Sequence, residues 1–128
     1  MTTQSIPVTN YPDQPFRITL EGITLAVRVW WSQFDDITKA LVGDGIEGQW
    51  YWDMVSTDGA IELYGMALVT GCDMFEPYAF TGLGGLWMLD DEGKSRDPGL
   101  ADLGVTHSLI YVPVDERAEF NQAVGWTR

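Results

Sequence analysis

Few residues in this chain could carry out chemistry. It has one histidine, His107, and one cysteine, Cys72. A lone cysteine excludes an intrachain disulfide and a paired-cysteine metal site, and a lone histidine excludes a multi-histidine centre. Nucleophilic catalysis would need His107 beside Cys72 or Ser108, with an acid to orient the ring. Neither a nucleophile elbow nor a cysteine-protease signature surrounds these residues. They read more simply as a small buried thiol and a histidine at a strand edge.

Clustered carboxylates are the other reactive groups: Asp35-Asp36, Asp90-Asp91-Glu92 and Asp115-Glu116. Such pairs could serve glycoside hydrolysis or calcium binding. In the run DDEGKSRD, however, Lys94 and Arg96 place cations where a metal loop needs oxygens, so solvated turns are the better reading. Gly82-Leu83-Gly84-Gly85 lacks the Lys-Ser/Thr and the following helix of a phosphate loop. No cofactor and no metal are expected, and the chain is not expected to be an enzyme. Six tryptophans raise an alternative, a carbohydrate- or cell-surface-binding β-sandwich module. Against it, Trp50 and Trp52 share one strand face, where aromatic residues ordinarily fill a core.

The elements that must position these groups are mostly strands. Phe16, Ile18 and Leu20 alternate with Arg17 and Thr19, Glu21-Gly22 forms a two-residue turn, and Ile23, Leu25, Val27, Val29 and Trp31 resume the period. The other face of the return strand presents Thr24, Ala26, Arg28 and Trp30. A second hairpin is expected over Gln49–Thr70. Trp50, Trp52 and Met54 lie on one face, Asp58-Gly59 turns, and Ile61, Leu63, Ala67 and Val69 follow at period two. Between the hairpins Phe34, Ile37 and Leu41 fall at helical spacing, with Gly43 as a cap. Leu86–Leu89 and Ser108–Val112 read as short strands, and Asp115–Val124 as a short helix. The sum is an all-β domain, a small β-sandwich or barrel of about six strands with one or two short helices and extended terminal arms. The expected organisation is an N-terminal arm over 1–13, a β domain over 14–113 with an insertion at 34–48, and a C-terminal extension over 114–128. If Val27 and Leu63 are core residues, truncating either to alanine costs about 2–4 kcal/mol.

Composition bounds the partners. The 128 residues are one domain's worth. Seven Lys+Arg against nineteen Asp+Glu give a net charge of −12. That balance argues against stable nucleic-acid binding and against anionic membranes, although DNA could pass nearby. With 45% apolar and 12% aromatic residues the chain is a folded acidic domain rather than a disordered tail. No spanning run and no export signal are read, so a soluble protein is expected.

From Leu68 to Tyr111 the chain resembles the small plug proteins of contractile-tailed phage baseplates. The segments LVTGCDMFEPYAFTGLGGLWMLDDEG and DPGLADLGVTHSLIYVP carry the likeness. Its matching positions are Val69, Thr70, Gly71, Asp73, Gly82, Gly84, Gly85, Leu86, Asp97, Leu103, Gly104, Leu109, Tyr111 and Val112. It extends over roughly Gln14–Pro113 and departs from the pattern at the 34–48 insertion and the C-terminal tail. The resemblance implies a non-enzymatic virion component at the distal end of the tail, where tube meets hub and spike. It also implies contacts with those proteins and with copies of itself, and presence in the host cytoplasm during assembly. The side chains expected at such contacts are Ile6, Val8 and Tyr11 in the N-terminal arm and Trp30 on the first hairpin. Phe34, Ile37 and Leu41 in the insertion and Phe120 and Trp126 in the tail complete the set.

Overall fold

The structure, a computed structural model, describes residues 3–33, 48–93 and 96–123. Among them seven strands form two antiparallel sheets: β1 (Gln4–Ser5), β2 (Asp13–Leu20), β3 (Ile23–Gln33), β4 (Gly48–Ser56), β5 (Glu62–Ala67), β6 (Gly85–Asp90) and β7 (His107–Val112). One sheet has the order β2-β3-β4-β5 and the other β1-β7-β6. A 3-10 turn (Glu76–Thr81) leads into β6, and a second (Val114–Glu116) runs into the one described α-helix, α1 (Arg117–Ala123). The all-β expectation holds. The helical spacing of Phe34, Ile37 and Leu41 falls outside the described residues, whereas Gly48 opens β4.

The sheets share one core. Leu20, Leu25, Val27, Val29, Trp50, Trp52 and Met54 from the larger sheet meet Leu86, Met88, Leu109 and Tyr111 from the smaller. Trp52 lies edge-on to Phe16 at 6.2 Å and to Phe75 at 6.1 Å, a geometry aromatic quadrupoles favour. The smaller sheet is buried on both faces, because Trp87 and Val112 pack with Phe120 of α1 on the side away from this core. That is why Leu86–Leu89 reads as an unbroken apolar run rather than an alternation.

Three features depart from the sequence reading. First, the N-terminal segment is woven into the domain: Gln4 and Ser5 pair with Tyr111 and Ile110, and the Ile6 amide donates to the Leu109 carbonyl at 2.8 Å. Asp13, placed in the arm from sequence, begins β2. Second, the period of β5 breaks. Trp52 pairs with Met66 but Met54 pairs with Leu63, so β5 holds one extra residue. Gly65 takes a positive φ of 72° there and donates to Asp53 Oδ1 at 2.7 Å, a bulge of the kind glycine permits. The buried positions therefore switch to Met66 and Leu68, and Leu63 is only half-buried. Third, the tail forms the 3-10 turn before α1, so the α-helix starts at Arg117, two residues after the start expected at Asp115.

Two carboxylates fasten the C-terminal segment. Glu21, in the β2–β3 turn, adopts φ 54° beside Gly22 at 75°, the pair of left-handed residues that this tight hairpin needs. Its Oε1 accepts from the Tyr111 hydroxyl at 2.9 Å and from the Val114 amide at 2.6 Å. Buried Asp73 accepts from the Phe75 and Leu86 amides at 3.1 and 3.2 Å and from Arg117 Nε at 2.8 Å. Gly84 must be glycine, since a Cβ there would stand 1.9 Å from the Val112 carbonyl oxygen.

Candidate interaction surface

The groups singled out for chemistry are engaged in structure. His107 is buried at the start of β7, its Nε2 2.7 Å from the Arg96 carbonyl oxygen and its Nδ1 2.9 Å from Thr106 Oγ1. With both ring nitrogens held, none is left to activate a nucleophile. The Ser108 hydroxyl donates to Asp91 Oδ1 at 3.1 Å instead. Burial pushes the Cys72 thiol above its ordinary pKa, and the charges of Asp73, Asp97 and Glu76 add to the effect, so it is a poor nucleophile.

Asp90 closes its own loop. Its carboxylate accepts from the Glu92 amide at 2.9 Å and the Arg96 amide at 3.3 Å. The Glu92 bond leads in holding its carboxyl below the ordinary range. Arg96 is ion-paired to Glu92 in the same loop. Among the described residues no group of three metal-ligating side chains converges, and no helix is long and apolar enough to cross a membrane. Of the described tryptophans, Trp50, Trp52 and Trp87 are buried. Trp30 stacks on Tyr51 at 4.8 Å with Arg28 over its ring, and Trp31 lies edge-on to Trp50. None is an open platform for a sugar ring.

The contact residues expected from sequence divide in three. Ile6 is 3% exposed in the shared core and Phe120 is 8% exposed against Trp87. Both pack within the chain, through the pairing of β1 with β7 and the docking of α1. Val8 is half-buried, its backbone passing over Gly104, where a Cβ would meet the Val8 oxygen at 2.5 Å. Tyr11, 64% exposed, and half-buried Trp30 remain on the surface. Phe34, Ile37, Leu41 and Trp126 fall outside the described residues.

The sequence reading missed the most exposed aromatic side chain among the described residues. Phe80, on the 3-10 turn Glu76–Thr81, is 86% exposed, and Tyr64 on β5 is 64% exposed. The available signal was an aromatic residue in a Pro- and Gly-flanked stretch, PYAFTG, with no period to assign it to a core. A different surface covers the outer face of the larger sheet, where Pro15, Ala26, Val55 and Tyr64 surround Arg28 and Asp53. Arg28 is paired there with Asp13 through Nε at 2.8 Å.

Two packed antiparallel sheets, hydrogen-bonded polar groups and a few exposed aromatic side chains define an all-β protein. The family model of the cyanophage baseplate Pam3 plug gp18 matches residues 3–115, which span both sheets. The chain belongs to this family of baseplate plug proteins. No curated protein sequence matches it.

Proposed function

We propose that this chain is a structural plug of a phage tail baseplate, joining or closing the region between the tail tube and the central hub and spike. The observation that carries the reading is the family match over residues 3–115, which takes in every strand of both sheets. The hydrogen-bonded state of His107 and Asp90 and the disfavoured thiolate of Cys72 support a non-enzymatic role. Its partners are other baseplate proteins and copies of itself around the tail axis. The outer face of the larger sheet suits contact between copies, because Arg17 and Arg28 there are matched by Asp13 and Asp53 along β2–β4. Elsewhere the excess negative charge suits a wall beside the DNA path, since like charges keep the polymer from adhering.

Gold-antibody labelling of purified tailed particles, read by electron microscopy, tests the reading. Label at the distal end of the tail is expected. Particles that stay unlabelled after partial denaturation, with the protein free in the lysate, would overturn it.

A further inference from the structure

At the free edge of the larger sheet, β5 stands apart from the 3-10 turn Glu76–Thr81 and a groove of about 160 Å³ opens between them. Met54, Ile61, Leu63 and Tyr78 form its floor and walls, and Phe80 forms its lip. On the far side of Phe80 a second groove of about 270 Å³ runs along Ile23, Ala60 and Ile61. A phenylalanine 86% exposed between two apolar grooves leaves a large nonpolar area in water, and contiguous apolar surface of this kind marks contact sites.

The rim is acidic. Asp58 borders one groove and Glu62 the other, both are exposed, and among the described residues no Lys or Arg lines either. Asp58 stays ionised, because the Ser56 hydroxyl, joined by the Ala60 amide, holds its carboxyl below the ordinary range. Main-chain pairing along β5 is disfavoured by the Gly65 bulge and by Glu62 on the edge strand. A second copy of this chain would bring a net charge of −12 against the same acids.

We propose that this groove receives a segment of a different baseplate protein, one that inserts an apolar side chain flanked by lysine or arginine. The proposal rests on the baseplate reading above and adds the chemistry of the partner. Phe80 is its aromatic anchor, and Asp58 and Glu62 select the basic flanks.

The test replaces Phe80 by the photo-cross-linker p-benzoylphenylalanine in the full chain, irradiates purified tails, and sequences the joined peptide by mass spectrometry. A peptide from another protein, with an apolar residue close to two or more Lys or Arg, is expected. A peptide from a second copy of this chain, or from an acidic or uncharged segment, overturns the proposal. So does the absence of a cross-link in tails that contain the chain. Incorporation is measured alongside: Phe80→Asp and the pair Asp58→Lys/Glu62→Lys should each lower it about tenfold. The control Val105→Asp, at another exposed position, should leave it unchanged. Wild-type incorporation of both groove variants would also refute the proposal. Absence of the unsubstituted chain from tails overturns the baseplate reading together with this one, whereas its presence without a cross-link overturns only the groove.

Discussion

Replacing Asp73 by alanine tests whether the buried carboxylate holds the C-terminal segment to the core. Its side chain is fully buried, and the partner Arg117 side chain is 16% exposed. The substitution removes the acceptor of two amides and one guanidinium group. Hydrogen bonds to a charged group contribute about 1.5–3 kcal/mol each, and breaking a buried ion pair from one side costs about 3–5 kcal/mol. Because the amides and Arg117 are all left unpaired, we expect a loss of about 4 kcal/mol. Arg117→Ala leaves the carboxylate with its two amides, so it should cost about 2 kcal/mol. The double variant should cost about as much as Asp73→Ala alone, a coupling of about 2 kcal/mol. Asp73→Asn keeps Oδ1 for the two amides but turns an NH2 toward Arg117 Nε, so it loses that hydrogen bond together with the charge attraction and should cost at least as much as Arg117→Ala. Urea unfolding followed by tryptophan fluorescence gives these values. At a slope of about 1.5 kcal/mol per molar urea, the midpoint of Asp73→Ala should fall by about 2.5 M. A loss below about 1 kcal/mol, or strict additivity in the double variant, would refute the reasoning.

Other consequences follow from burial. Ile6→Ala should destabilise the domain by about 2–4 kcal/mol in the same assay, whereas a free arm would register no change. Deleting the first eleven residues should accordingly weaken the fold. Val27→Ala should cost about 2 kcal/mol and Leu63→Ala about 1 kcal/mol, since Val27 is 3% exposed and Leu63 is half-buried beside the bulge. Burial pushes the Tyr111 phenol above its ordinary pKa, an effect that the carboxylate of Glu21 reinforces. A group whose folded pKa is raised gives full stability below its unfolded pKa and loses it as the pH climbs toward the folded value. Stability should therefore decline above about pH 10, and absorbance at 295 nm should show one of the five tyrosines ionising only as the chain unfolds. Cys72 should react with a thiol reagent at pH 8 more slowly than free cysteine does, because its thiolate is disfavoured; a rate matching free cysteine would contradict the burial assigned to it.

Much of this architecture was legible where one local rule governs one element. The β2–β3 hairpin follows strict alternation, and Glu21-Gly22 supplies the turn in place. The phase of β5 was not legible by period alone, because one glycine at a positive φ adds a residue and shifts every inward position after it. The isolated Gly65 within the strand was the one local hint. β1 escaped notice because two residues carry no period, and its order comes from β7, over a hundred positions away. For the same reason the roles of Glu21 and Asp73 were hidden, since their partners lie 93 and 44 positions along the chain. The contact surface was legible only in part. Tyr11 and Trp30 were picked out as aromatic residues off the core pattern, whereas Phe80 owes its exposure to the way the 3-10 turn projects it, which no spacing encodes.

The placement of charge then limits which neighbours can meet which face. Among the described residues, Arg28, Arg96 and Arg117 are each ion-paired within the chain, to Asp13, Glu92 and Asp73. These three cations therefore neutralise particular acids locally, whereas exposed Asp58 and Glu62 border the grooves beside Phe80, which no described Lys or Arg lines. Fields from such surface charges decay over about 8 Å at physiological ionic strength, so they act on close neighbours rather than along the tail. Two copies can approach closely only where opposite charges already balance, as they do around Arg28 on the outer sheet face. Where acids stand alone beside exposed Phe80, the neighbour that gains most is one whose own cations replace the missing ones. One molecule can thus offer a self-compatible face and a basic-partner face without any difference in fold between them, and the two contacts should respond oppositely to charge reversal at Glu62. Lysine there weakens docking of a basic partner and reduces repulsion between copies.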